Sequence, residues 1–145
     1  MPSKTYFSFG LRVVIGSLLL SILFIAVLAQ IFLISGLDQK TGMNLTDFYS
    51  IIWIFVSFAS NYFAFYLTYK NSLAKKNLLL SKSIWYAFWV NILLTLFFNT
   101  YAIILQGKSL PNFYGIASLI IAQSSSIVAY YFAGKSVHKK LLING

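Results

Sequence analysis

The chain has no cysteine, one histidine, two acidic residues and two prolines among its 145 residues. Each scarcity closes off some chemistry. Without cysteine there is no disulfide framework, no thiolate nucleophile, no thiolate metal site and no lipoprotein-type anchor, and the redox compartment is left open. Charged residues make up 9% of the sequence and hydrophobic ones 59%, against usual shares of about 25% and about 45–50%. So few charges cannot solubilise so much Leu, Ile and Phe, and they are gathered into short segments instead of being spread over a surface. That excludes an ordinary soluble domain.

What charge there is has one sign, with a formal net value of +9. A nucleic-acid binder would carry its basic residues on one folded face; here they separate long uncharged stretches, which argues against nucleic acid as a partner. The uncharged windows are Val13 to Leu37, Phe48 to Tyr69, Ser83 to Gly107 and Ser109 to Gly134. A helix needs about 20 apolar residues to cross a hydrocarbon core of about 30 Å. Helices are therefore predicted near 12–34, 48–69, 84–105 and 113–133. In lipid the backbone must satisfy its own hydrogen bonds, and runs this long suit helices better than the roughly ten-residue alternating strands of a barrel. The expected fold is all-α: a polytopic integral membrane protein of four transmembrane helices in two helical hairpins, forming one domain over 1–145 with a basic tail at 135–145.

Lys4 and Arg12 before an apolar run, with Val27-Leu28-Ala29 after it, loosely resemble a signal peptide. The run continues through Ile31-Phe32-Leu33-Ile34, too far for a signal-peptide core, so an uncleaved helix is expected. Residues 35–47 read as a polar loop, with Thr46 or Asp47 available to cap the next helix. Gln106 to Asn112, containing Gly107 and Pro111, reads as a short connection that makes the third and fourth spans antiparallel neighbours.

Four crossings place Lys4, Arg12, Lys70, Lys75, Lys76, Lys82, Lys135, Lys139 and Lys140 on one side and only Lys40 and Lys108 on the other. Positive residues in short loops stay in the cytoplasm, so both termini are expected there, in the cytoplasmic (inner) membrane of a cell. Tyr66, Tyr69, Trp85, Tyr86, Trp89, Tyr130 and Tyr131 read as an aromatic belt at the basic boundary. Phe55–Lys76 and Leu119–Lys140 also match weakly as a repeat 64 residues apart, pairing Ser60, Tyr66 and Ser72 with Ser124, Tyr130 and Ser136. Duplicated hairpins and shared membrane-end composition both account for it.

This topology sets His138 across the membrane from Asp38 and Asp47. No His–carboxylate pair can then form within one chain, which removes a hydrolase triad, a carboxylate-pair glycosidase and a His/Asp/Glu metal site. No enzyme, cofactor or metal is expected, and with no ionisable group near a helix centre a proton-coupled pump is disfavoured. The remaining candidates are uncharged. Asn91, Thr95 and Asn99 recur every fourth residue, Ser57, Asn61, Ala64 and Thr68 do the same, and Gln123 to Ser126 form a polar centre in the last span. Such stripes are either packing seams or the walls of a polar groove. In the second case Asn61, Asn91, Thr95, Asn99, Gln123 and Ser125 are the substrate-binding candidates. The basic loop and tail either set topology alone or hold an anionic lipid phosphate.

Arg12-Val13-Val14-Ile15-Gly16 opening the first span, and Ser57-Phe58-Ala59-Ser60-Asn61-Tyr62 with Tyr69-Lys70 closing the second, resemble the GtrA-like family of small four-helix membrane proteins. The sequence departs from that pattern in an Arg-to-Gly spacing one residue short and in Ser125 where the second hairpin would repeat the Asn. The resemblance implies a carrier, or carrier accessory, for polyprenyl-phosphate-linked sugars. Arg12 and Lys70 would then contact the lipid phosphate, with Lys75 and Lys76 beside them and Asn61 inside the bundle. An accessory or regulatory subunit of a larger membrane complex, an immunity-type protein or a homo-oligomer needs no such site.

Overall fold

In a computed structural model of the chain, residues 2–76, 78–109 and 112–144 are described, without the side chains of Pro2, Asp38, Thr46, 74–76 and 141–144. Five helices follow one another: α1 (Pro2–Ile34), α2 (Leu37–Thr41), α3 (Leu45–Lys76), α4 (Leu80–Gln106) and α5 (Phe113–Asn144). All but α2 are long and apolar enough, by length and composition, to cross a membrane. The long helices outrun the apolar windows. α1 has 33 residues and α3 and α5 have 32 each, or about 48–50 Å at about 1.5 Å per residue. The surplus lies at the basic end, where Pro2–Leu11, Lys70–Lys76 and Lys135–Asn144 continue the helices.

The connections are tight. The segment read as a loop at 35–47 contains α2, and α3 begins at Leu45, so positions 46 and 47 lie inside its first turn and not at its cap. Asn44 caps it, its Oδ1 accepting the Asp47 N–H at 2.8 Å, which satisfies one of the free donors of the first turn. α4 ends at Gly107, whose φ of 63° is the left-handed conformation that glycine adopts without Cβ strain. Pro111 lies outside the described residues.

Contacts along the seams fix the helix directions. Phe9 meets Tyr69 and Phe32 meets Phe48, so α1 and α3 are antiparallel. Tyr6 stacks on Tyr86 while Gly10 abuts Tyr86 and Val90, so α1 and α4 are parallel. Asn61 meets Tyr130 and Tyr69 meets His138, making α3 and α5 parallel. α4 and α5 touch much more thinly than these three pairs. The 64-residue match carries over into burial only in part: Ser72 and Ser136 are both half-buried, whereas Ser60 is fully buried and Ser124 exposed.

Burial is concentrated at the basic end. Tyr6, Phe9, Val13, Phe65, Tyr69, Leu78, Ala87, Tyr130, Ala133 and Val137 form one apolar cluster there. Tyr69 and Tyr130 are 0% exposed; they are core residues and not the interfacial belt expected of them. Trp85, Trp89 and Tyr131 do stay exposed, at 57%, 45% and 43%. The α3–α4 connection is pinned to this cluster. Leu78 is buried, its carbonyl accepts from the Tyr69 hydroxyl at 3.1 Å, and the Leu79 N–H donates to the Tyr6 hydroxyl at 3.1 Å. Because the Tyr69 proton is given to Leu78, His138 Nε2, also 3.1 Å away, is the donor to the Tyr69 oxygen.

Candidate functional site: a basic-end cleft and two polar seams

Three polar features are built from the helix ends and interiors. The first is a cleft of about 90 Å³ at the basic end of the α1–α3 seam, lined by Thr5, Ser8, Phe9, Arg12, Asn71, Ser72 and Leu78. Thr5, Ser8 and Arg12 are one face of the first turns of α1, spaced by three and four residues. Asn71 and Ser72 come from the extension of α3, and buried Phe9 and Leu78 form the floor. Asp47 sits in the first turn of α3, at the far end of the bundle from Arg12, and Asp38 belongs to α2 there. Among the described residues the Arg12 guanidinium therefore has neutral polar neighbours and no carboxylate partner. Farther along the same seam, Phe24, Val27, Leu28, Phe55, Val56 and Ala59 line an apolar groove of about 300 Å³.

The second feature is a seam between α3 and α5. Asn61 Nδ2 donates to the Ser57 carbonyl at 2.9 Å, and its Oδ1 accepts from the Tyr130 hydroxyl at 2.9 Å. Asn61 is 6% exposed and Tyr130 is 0% exposed. The third is a chain of three residues between α4 and α5: Asn91 Nδ2 donates to Gln123 Oε1 at 3.2 Å, and Gln123 Nε2 donates to Thr95 Oγ1 at 3.1 Å. It borders an apolar groove of about 360 Å³ that includes Phe88, Ile92, Leu96, Leu119, Ile120 and Ile127.

The residues proposed from sequence are thus brought together in part. Asn91, Thr95 and Gln123 form one cluster, whereas Asn61 belongs to another seam. Asn99 turns to its own helix and donates to the Thr95 carbonyl at 2.8 Å. Ser125, half-buried in α5, joins neither hydrogen-bonded group. Of the proposed phosphate contacts, Arg12 lines the cleft and Lys70 is exposed outside its lining; the side chains of Lys75 and Lys76 lie outside the described residues. Thr5, Ser8, Asn71 and Ser72 were missed because they fall in segments read as flanks. The signal was the polar spacing of Thr5, Ser8 and Arg12, which needs the helix to begin before the apolar window.

Fold and site together define a class: an all-helical bundle with four candidate membrane spans, closed by an aromatic core at its basic end. No protein-family model, curated protein or solved structure matches the chain.

Proposed function

We propose that this is a non-enzymatic multi-pass protein of the cytoplasmic membrane that binds a lipid-linked anionic substrate, as a carrier or carrier accessory, with both termini in the cytoplasm. One observation carries the reading: the α1–α3 seam offers a cationic, polar cleft at the basic end and an apolar groove farther into the span. Arg12 and Phe24 are twelve positions apart on α1, about 18 Å along the helix. That is the layout of a phosphate head joined to a long apolar tail. A guanidinium presents a planar set of N–H donors suited to phosphate oxygens, and a long chain lying in the seam would cover apolar surface. Polyprenyl-phosphate sugars, the substrate class that the GtrA-like resemblance implies, have this form. Arg12 is the anion contact, with Asn71 and Ser72 as neutral partners; Lys70 adds field at the surface.

The groove beside Thr95 and Gln123 favours a second reading, an accessory subunit that packs a partner's helix against α4. The exposed Leu93, Leu96, Phe97 and Ile104 on that helix support it.

Native mass spectrometry of the protein in mild detergent with added polyprenyl phosphate separates the two. Wild type is expected to retain the lipid and Arg12→Gln to lose about ten- to a hundredfold in retention, as the loss of a charge-assisted contact of about 1.5–3 kcal/mol implies. Equal retention by both proteins, or a stoichiometric protein partner in place of lipid, would sink the carrier reading.

A further inference from the structure

The opposite flank of α3 carries a second opening at the basic end, and its chemistry differs from that of the Arg12 cleft. Tyr62, Phe63, Tyr66, Leu67, Ser136 and Lys140 line a pocket of about 370 Å³ between α3 and α5. Tyr62 and Tyr66 lie nearly parallel, 11° between ring planes and 6.3 Å between centroids. The Tyr62 hydroxyl donates to Ser136 Oγ at 3.0 Å and Ser136 Oγ donates to the Phe132 carbonyl at 2.9 Å. The wall is therefore fixed across two helices before any ligand arrives. Lys140 reaches back from the end of α5 to place its Nζ 5.4 Å from the Tyr66 ring centre.

Lys140 itself is exposed and the Tyr66 ring under it half-buried, a cation–ring contact worth about 1 kcal/mol, and both acids of the chain belong to helices at the far end of the bundle. The pocket is graded: Phe63 and Leu67, 46% and 52% exposed, present apolar surface, and the ammonium sits beside it at the basic end. We infer that the α3–α5 pocket binds an anionic glycerophospholipid from the leaflet at the basic end, its phosphate on Lys140 and one acyl chain against Phe63 and Leu67. Charge complementarity selects the occupant, because a neutral or zwitterionic head group leaves Lys140 without a net counter-charge. Such a lipid would tie α3 to α5 where Tyr62 and Ser136 already meet. The inference stands apart from the substrate reading, which concerns the other side of α3.

The test is native mass spectrometry of the intact chain released from nanodiscs holding equal amounts of phosphatidylglycerol and phosphatidylcholine. Wild type is expected to retain phosphatidylglycerol in preference. Lys140→Gln should reduce that retention about fivefold, the equivalent of about 1 kcal/mol for one basic residue near the surface. Lys139→Gln, one residue away but outside the pocket, should leave it unchanged. Equal losses in the two lysine variants, no preference in wild type, or a loss confined to Arg12→Gln would overturn the assignment. The last outcome would place the lipid in the α1–α3 cleft and leave the substrate reading standing.

Discussion

Asn61 donates to the Ser57 carbonyl and accepts from Tyr130, so an amide whose spacing in sequence fits either a packing seam or a groove wall is already occupied within the bundle. Bonds of this kind between membrane helices contribute about 0.6 kcal/mol on average and about 1.7 at most. A double-mutant cycle on Asn61→Ala and Tyr130→Phe is expected to show a coupling in that range. Each single variant lowers stability by about 1–3 kcal/mol, because a buried polar partner is left unsatisfied. Reversible unfolding in detergent measures it, and strictly additive losses would contradict the seam. Asn91, Thr95 and Asn99 were legible as a stripe from their spacing, but not what they bond to. Periodicity gives the face of a helix, whereas Gln123 on another helix decides that Asn91 and Thr95 are cross-linked and Asn99 is not. Tyr69 and Tyr130 show the same limit, since a tyrosine near a membrane boundary satisfies both a belt and a buried core with a partner for its hydroxyl.

At the scale of the helix, close approach depends on two glycines. A Cβ on Gly10 would lie 2.9 Å from the Tyr86 carbonyl oxygen and 3.1 Å from Val90 Cγ2. The obstacle is α4 backbone, which cannot turn aside. On Gly134 the Cβ would run into the side chain of Leu80, which has other rotamers to adopt. Gly10→Ala is therefore expected to lower the apparent melting temperature in detergent through an overpacking cost of about 1–3 kcal/mol. Gly134→Ala should cost less than half as much; equal losses would mean that α1 and α4 separate readily. The existence of the long helices was readable because uncharged runs of this length have one solution in lipid. Their ends were not. The flanks at 2–11, 70–76 and 135–144 are polar enough to read as loops or tails, but they are helical, and from them Tyr6, Phe9, Leu73 and Val137 pack around Leu78 and Tyr69. The cap at Asn44 was missed for a related reason: several residues in 35–47 could serve, and only the start of α3 selects among them.

For the whole molecule, the packed core lies at the same end as the lysines, while the other end holds the two acids and few buried side chains. A bundle closed at one face, with apolar grooves along its seams, suits a protein that takes lipid chains from the side. On the proposed reading, both the Arg12 cleft and the Lys140 pocket would face the leaflet that the basic end adjoins. The separation of lysines from acids was legible in sequence; the core at the basic end and the pairing of α1 with both α3 and α4 were not, because chain order says nothing about which non-consecutive helices touch. Four crossings with the basic end in the cytoplasm are the claim on which these readings rest. The chain contains no cysteine, so single cysteines report without background. Lys108→Cys and Lys139→Cys, treated in intact cells with a membrane-impermeant maleimide, are expected to label only at position 108, with position 139 reacting once the membrane is opened. Labelling of position 139 in intact cells would contradict the arrangement.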